Sequence, residues 1–179
     1  MNQEKQKQRE PFASLVVYRL TTWSLIIPLL RTYFRCKIYG LEKVPKSGPL
    51  IVAGNHGSYF DPPILSTCIK RPVAFMAKEE LFQVPILKQT IQLYGAYPVK
   101  RESADRSAIR SATNALKNGW AVGLFLEGTR TPDSRIYNPK LGAASIAART
   151  QVPILPVSLW GTEKILVKGS SFPKSVPLT

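Results

Sequence analysis

Cysteine, histidine and acidic residues are scarce in this 179-residue sequence, and each shortage argues against a class of protein or site. The two cysteines, Cys36 and Cys68, form no CxxC pair, which argues against a disulfide scaffold and a cysteine-built zinc site. The single histidine, His56, argues against a multi-histidine metal site. Eleven acidic residues stand against 25 lysines and arginines, a net charge of +14. A domain this basic is expected to bind an anionic partner: nucleic acid, a membrane surface or a phosphorylated substrate.

The positive charge is spread along the whole chain and is not collected in one basic arm. Residues 1–35, 36–110 and 111–179 carry net charges of +4, +5 and +5. A dense basic helix, or arginines interleaved with aromatic residues, would be typical of a nucleic-acid-binding protein, and neither pattern occurs. We therefore expect no nucleic-acid partner and favour an anionic membrane surface. The alternative, a nucleic-acid-binding domain, rests on the charge alone.

A long apolar run is also missing. Residues 12–35 are the most apolar stretch, but its longest uncharged run, Leu20–Leu30, has only eleven residues, whereas a bilayer-spanning helix needs about 20. Aromatic residues such as Trp23 and the flanking arginines are typical of a helix that lies in the membrane interface. Pro28 is expected to kink this helix or to split it. The alternative is a helix that packs against the core of its own domain.

The rest of the chain alternates short apolar segments with helical ones, which predicts an α/β domain with a largely parallel central sheet flanked by helices. The length fits one domain, residues 36–179, preceded by a membrane-associating helical segment, residues 1–35. Pro156 predicts an edge position or a bulge for its strand. Asp61 is the expected N-cap of the first helix, with Pro62 as its first residue. The predicted strands are Leu50–Gly54, Val73–Ala77, Ala96–Val99, Trp120–Phe125 and Ile154–Leu159, and the further helices are Ile86–Leu93, Ser103–Asn118 and Asn138–Thr150.

The first candidate site follows the strand Leu50–Gly54, and the carboxyl ends of strands are where α/β folds place their sites. His56 can accept a proton from a hydroxyl group, provided that a partner fixes its tautomer. The carboxylate of Asp61, five residues later, can be that partner if the turn folds back, and Gly57 makes such a turn easier. The alternative is that His56 and Asp61 merely cap a loop and a helix.

Two further strand ends carry cations. Lys100 and Arg101 follow the strand Ala96–Val99, and the turn Gly128-Thr129-Arg130 follows the strand Trp120–Phe125. Arginine can bind a phosphate or a carboxylate through two parallel hydrogen bonds. If the three strand ends converge, they form a site for a phosphate-bearing alcohol with a general base beside it.

Four blocks of sequence, in this order, resemble the 1-acyl-sn-glycerol-3-phosphate acyltransferase family, the lysophosphatidic acid acyltransferases of the PlsC type. The resemblance covers Lys37 to Lys164 and implies a glycerolipid acyltransferase fold. It implies transfer of a fatty acyl group from acyl-CoA or acyl carrier protein to the free hydroxyl of lysophosphatidic acid, which gives phosphatidic acid in phospholipid biosynthesis. The blocks are NHGSYFD from Asn55, GAYPVKR from Gly95, FLEGTR from Phe125 and VPILPV from Val152.

The resemblance also implies the roles of the site residues. His56 would be the general base, and Asp61 would orient its ring and support the imidazolium that forms. The acceptor hydroxyl would attack the thioester itself, so no covalent acyl-enzyme, no metal and no cofactor beyond the thioester co-substrate are expected. The residues that the resemblance places around the acceptor phosphate are Arg101, Glu127, Gly128, Thr129 and Arg130, with Glu127 organising its neighbours and with Asn55, Lys100 and Lys140 in support.

The chain departs from the family pattern at three places. In the second block Lys100 precedes the arginine, which adds charge and is expected to alter the acceptor preference. Leu126 stands where the family commonly has a proline, which we interpret as a packing change. The family continues to a further strand with a Gly-x-Pro signature, and this chain ends at Thr179 without one, so we expect a C-terminal strand to be missing.

The resemblance does not determine which acceptor the protein uses or where in the cell it lies. The acceptor alternatives are another lysophospholipid, a lyso-aminolipid or glycerol-3-phosphate. A membrane-binding module of the same fold without catalytic activity is the alternative from a different class. We expect the protein at the cytoplasmic face of a membrane, since acyl donors are cytosolic and basic residues prefer the anionic inner surface.

Overall fold

A parallel sheet forms the centre of the molecule. The structure, a computed structural model, describes residues 16, 19–83, 88, 91, 96–99, 104–166 and 172–179. Within these residues five strands run in the order β3-β2-β4-β1-β5, and every neighbouring pair is parallel. The prediction of an α/β domain with a largely parallel sheet is thereby confirmed. The strands are β1 (Leu50–Gly54), β2 (Val73–Lys78), β3 (Tyr97–Val99), β4 (Ala121–Phe125) and β5 (Ile154–Val157).

Helices cover both faces of this sheet. Side chains alternate between the two faces of a strand, so Leu50 and Val52 of β1 pack in one core cluster with Leu65, whereas Ile51 packs in the other with Ile146. Burial on both faces explains why β1 and β4 are almost continuously apolar. The helices are α1 (Asp61–Cys68), α2 (Ala104–Lys117) and α3 (Gly142–Thr150), with short 3-10 turns at Leu41–Lys43, Glu79–Gln83 and Thr162–Lys164.

Two predicted helix starts are wrong, the first by one residue and the second by four. Asp61 is the first residue of α1 and not its N-cap, because its carboxylate binds the loop that precedes the helix. The last helix begins at Gly142 and not at Asn138, because the backbone amides of Asn138 and Lys140 donate to Glu127 and to the Leu126 carbonyl. The predicted helix Ile86–Leu93 lies almost wholly outside the described residues.

The position of β5 at the edge of the described sheet confirms the expectation from Pro156. The strand pairs with β1, and Pro156 stands opposite Ala53. A proline lacks the backbone N–H that a second neighbour would require. The strand ends at Val157, two residues earlier than predicted, because the backbone N–H and carbonyl of Leu159 both bind the side chain of Asn55.

The N-terminal helical segment continues through Pro28 without a break. Two π-helical turns, Thr22–Ile26 and Leu29–Tyr33, flank this proline, whose φ of −57° and ψ of −45° are helical. The wider turns accommodate the missing N–H, so the expected splitting does not occur. In the described part of the chain, no helix is both long enough and apolar enough to span a bilayer.

This N-terminal segment has one buried and one exposed side. Leu30 and Phe34 belong to a third core cluster, together with Ile64 of α1. On the exposed side, Trp23 is 68% and Leu25 is 66% accessible to solvent. The core-packing interpretation therefore describes one side of the stretch, and the interfacial interpretation of the exposed side stays a prediction.

We expect Gly123→Ala to lower the free energy of unfolding by about 1–3 kcal/mol, the usual cost of overpacking a core. Gly123 lies in the middle of β4, and a Cβ there would overlap the ring of Phe75. That ring is buried and stacks on Phe125, so it cannot move aside freely. The measurement is the urea midpoint. Gly142→Ala is the matched control, since nothing lies within 4 Å of its Cβ position, and equal midpoints for the two variants would contradict the packing described.

Candidate active site

The loop after β1 holds a histidine–aspartate pair. His56 Nδ1 lies 2.7 Å from Oδ2 of Asp61. The same oxygen accepts the backbone N–H groups of Gly57 and Ser58, each at 2.8 Å. Asp61 is fully buried, whereas 17% of the His56 side chain is exposed. A carboxylate can only accept, so it fixes the proton on Nδ1 and leaves Nε2, the other ring nitrogen, as a proton acceptor.

The tight course of this loop depends on Gly57. A Cβ at this position would overlap the hydroxyl of Ser134, so a side chain would push apart the loops that follow β1 and β4. Thr131 reinforces the contact, because its backbone N–H donates to the His56 carbonyl at 2.8 Å. His56 is thus held by its backbone as well as by its ring.

The ring of Phe125 forms one wall of the site. Phe125 is the last residue of β4 and stands opposite Gly54 in the register of the sheet. Its ring stacks on the His56 imidazole, with centroids 3.9 Å apart and planes 7° from parallel. The stack covers one face of the imidazole and limits its rotation, so Phe125 and Asp61 together determine the orientation of the ring.

Asn55 joins three segments at the carboxyl edge of the sheet. Its buried amide group donates to the carbonyls of Ser134 and Leu159, at 2.8 and 2.7 Å, and accepts the N–H of Leu159 at 2.7 Å. These segments follow β1, β4 and β5. Asn55 therefore positions the backbone from which His56 extends.

The turn after β4 depends on the left-handed backbone conformation of Gly128. Gly128 adopts a left-handed conformation with a φ of 69°, and its N–H donates to the Phe125 carbonyl at 3.0 Å. Glu127 Oε1 accepts the N–H of Asn138 at 2.7 Å and the N–H of Tyr137. The sequence interpretation grouped Glu127 with the residues around a phosphate. In the structure Oε1 binds the protein's own backbone, which is the organising contact expected of it.

The side chains that follow Gly128 in this turn face solvent. Thr129 and Arg130 are exposed, and Arg130 Nη2 donates to the hydroxyl of Tyr59 at 2.8 Å. The aliphatic stem of Lys140 runs beside Gly128, since a Cβ on the glycine would be 3.8 Å from its Cγ. Lys140 lies in the loop before α3 and not at a helix start. Lys100 and Arg101 lie outside the described residues.

A model of one protein family, described as Acyltransferase, matches residues 35–160. This chain belongs to the acyltransferase family. The matched range contains the His56–Asp61 pair and the Glu127–Arg130 turn. The matched range nearly coincides with the resemblance found in the sequence, which runs from Lys37 to Lys164. The resemblance to this family is therefore confirmed.

A solved structure and several curated sequences are similar to this chain and agree with the family assignment. The structure is similar to the crystal structure of PlsC, the lysophosphatidic acid acyltransferase of Thermotoga maritima, with a TM-score of 0.79 and 32% identity over 93% of this chain and 67% of that one. A chloroplastic 1-acyl-sn-glycerol-3-phosphate acyltransferase of Brassica napus is 33% identical over 77% of this chain and 41% of its own length. The Borreliella burgdorferi acyltransferase of that name is 33% identical over 75% of this chain and 55% of its own. This chain thus spans about half the length of these curated relatives.

The sequence indicated the polar residues of this acyltransferase site but not its aromatic ones. Phe125 and Tyr59 each stand within a block that the resemblance uses, and neither was assigned a role. The available signal was position: Phe125 ends the strand before the Glu127–Arg130 turn, and Tyr59 lies between His56 and Asp61. Their contacts depend on β4 lying beside β1, which the sequence alone does not reveal.

Proposed function

We propose that this chain transfers an acyl group from acyl-CoA or acyl carrier protein to the free hydroxyl of lysophosphatidic acid and so forms phosphatidic acid. The observation that carries the proposal is the His56–Asp61 pair, 2.7 Å apart, at the carboxyl edge of a parallel sheet. The names of its relatives, 1-acyl-sn-glycerol-3-phosphate acyltransferases, supply the substrate class.

His56 acts as the general base. Nε2 takes the proton of the acceptor hydroxyl while the hydroxyl oxygen attacks the thioester carbonyl. The tetrahedral intermediate then collapses, the carbon–sulfur bond breaks, and the imidazolium returns the proton to the leaving thiolate. Asp61 stabilises the imidazolium between these two transfers, as the aspartate of a serine-protease triad does.

The acceptor oxygen, and not a protein side chain, is the nucleophile. Ser58 carries the hydroxyl closest to His56 in the sequence, but the residue is buried and its Oγ accepts the N–H of Phe60 at 3.3 Å. This arrangement gives Ser58 a part in the turn and supports direct transfer without an acyl-enzyme.

The acceptor phosphate binds at the turn after β4. Arg130 is the principal ligand, since its guanidinium offers several donors at the outer side of the turn and Lys140 adds a second charge nearby. The resemblance assigns Arg101, with Lys100 in support, to the same phosphate, and both residues lie outside the described part of the chain. Thr129 and the backbone around Gly128 provide the remaining polar groups.

An apolar cavity lined in part by the fourth sequence block is the proposed binding place of the acyl chain. A cavity of about 320 Å³ lies between the segment after Phe34, helix α1 and the end of β5. Leu155 and Val157, which belong to the fourth sequence block, contribute to its lining, as do Ile64 and Leu65. Each buried methylene gains about 0.8 kcal/mol, so this lining favours a long acyl chain.

The proposal includes association with a membrane at its cytoplasmic face, and the exposed side of the N-terminal segment supports membrane contact. Trp23 and Leu25 are exposed on the side opposite the core contacts of Leu30, and Arg31 and Arg35 are exposed as well. An exposed apolar side flanked by arginines suits the boundary of an anionic bilayer. The net charge of +14 adds long-range attraction to that surface.

Arg130→Ala is expected to raise the KM for lysophosphatidic acid about tenfold or more, the effect of losing a hydrogen bond between charged groups. The kcat should change little, because the phosphate is bound equally in the ground state and in the transition state. Arg135→Ala is the matched control: this arginine is also exposed, and it lies 3.9 Å from Asp133. The assay compares lysophosphatidic acid, glycerol-3-phosphate and a lysophospholipid with a larger headgroup. A loss confined to kcat would contradict the assigned role, and a preference for another acceptor would replace the proposed substrate.

A further inference from the structure

Tyr59 forms a direct side-chain contact between the His56–Asp61 loop and the turn after β4. It lies on the His56–Asp61 loop, and Arg130 lies on the turn after β4. The Arg130 guanidinium carbon is 3.5 Å from the centre of the Tyr59 ring, and Nη2 donates to the Tyr59 hydroxyl at 2.8 Å. One aromatic side chain therefore makes both a cation–π contact and a hydrogen bond to the same arginine.

These contacts leave most of the guanidinium unoccupied. Arginine has five N–H donors in a planar fork, and Tyr59 takes one of them. In the described part of the chain no carboxylate forms an ion pair with Arg130. The side chain is therefore held in one orientation while its remaining donors stay available for an anion.

Tyr59 contributes little to the fold itself. Its side chain is 66% exposed and belongs to none of the three core clusters. The loop that carries it is fixed by other bonds, from the amides of Gly57 and Ser58 to Asp61. Replacing the Tyr59 ring is therefore expected to leave the loop and the His56–Asp61 pair in place.

We propose that Tyr59 is a positioning residue that holds Arg130 for the phosphate of the acceptor. This inference rests on the proposed function. Tyr59 and His56 are three residues apart on one loop, so the platform for Arg130 and the general base move together. Tyr59 thereby holds the Arg130 guanidinium in place for the phosphate, and favours the binding of acceptors that carry one.

The kinetic test uses Tyr59→Phe and Tyr59→Leu, each made in the wild-type and in the Arg130→Ala background. Tyr59→Leu removes the ring and the hydroxyl, and should raise the KM for lysophosphatidic acid about five- to tenfold, with kcat and the thioester KM within about twofold. Tyr59→Phe keeps the ring and should show a smaller increase, about twofold. In the Arg130→Ala background neither change should add to the KM. An equal effect of Tyr59→Leu in both backgrounds, or a loss confined to kcat, would overturn the inference.

A second readout does not depend on activity. Phenylglyoxal modifies accessible arginines, and peptide mapping gives the rate at each one. Arg130 should react several times faster in Tyr59→Leu than in the wild type, while the exposed Arg135 reacts at the same rate in both and serves as the internal control. Glycerol-3-phosphate should slow the labelling of Arg130.

The two readouts separate the inference from the function on which it rests. A wild-type protein that makes no phosphatidic acid, but whose Arg130 labelling depends on Tyr59 and is slowed by glycerol-3-phosphate, would refute the proposed reaction and support the positioning role. Equal labelling of Arg130 in the wild type and in Tyr59→Leu would refute the positioning role, whatever the activity.

Discussion

His56→Ala is expected to lower kcat for acyl transfer by about 10³-fold, within the range of a lost general base. Without the imidazole no group in the His56–Asp61 pair can take the proton from the acceptor hydroxyl, so the attacking oxygen stays protonated. The binding of lysophosphatidic acid should be retained, because Arg130 lies on a different loop. The measurement is the steady-state rate of purified protein with a thioester donor and lysophosphatidic acid.

The interpretation of His56→Ala requires that the variant remain folded. Alanine removes the ring contacts of His56 but keeps the backbone bond from the Thr131 N–H to the carbonyl of residue 56, and Asp61 keeps the N–H groups of Gly57 and Ser58. The unfolding midpoint should therefore shift only slightly. Free imidazole, added at millimolar concentration, should restore part of the rate. A folded variant that retains more than a tenth of the wild-type kcat would contradict the general-base role.

Asp61→Asn is expected to lower kcat by about 10²–10⁴-fold, the range that general acid–base catalysis contributes, because the imidazole loses the partner on which its role as base depends. The amide oxygen can still accept the N–H groups of Gly57 and Ser58, so the loop keeps its shape. The negative charge beside His56 is lost, and with it the stabilisation of the imidazolium. The acceptor KM should change less than twofold. A rise in KM at constant kcat would contradict this division of roles.

The parallel sheet was largely predictable, because each strand is a short apolar segment bounded by turn residues. The predicted bounds of Leu50–Gly54 match those of β1, and β5 begins at Ile154 as predicted. The helix start at Asn138 was not predictable from local rules. Asn138-Pro139 has the composition of a helix start, but the buried carboxylate of Glu127 captures the Asn138 N–H. The contact crosses eleven residues and depends on the turn after β4.

The contacts of the candidate site likewise include local ones that the sequence predicts and long-range ones that it does not. His56 and Asp61 lie five residues apart in one loop, so their contact follows from a single turn. The contacts of His56 with Phe125 and of Tyr59 with Arg130 join segments about 70 residues apart and depend on the strand order. In the sheet β4 lies directly beside β1, and β2 and β3 lie on the far side of β4. Alternation of strands and helices predicts a parallel sheet but does not fix that order.

The N-terminal segment accommodates Pro28 in a way that the sequence did not indicate. Pro28 lacks an N–H and was expected to kink or split the helix. The helix is not split at the proline, and the chain forms π-helical turns on both sides of it, Thr22–Ile26 and Leu29–Tyr33. The continuous segment keeps Leu30 in the core while Trp23 stays exposed, and this two-sided arrangement is the basis for the proposed membrane contact.

The most direct test of the account is the stoichiometry of thiol release by the purified protein. We predict that free thiol appears from acyl-CoA or acyl carrier protein only when lysophosphatidic acid is present, that one phosphatidic acid forms for each thiol released, and that the intact mass of the protein shows no attached acyl group. Thiol release at the same rate without the acceptor, or an acyl group retained on the protein, would contradict direct transfer with His56 as the base.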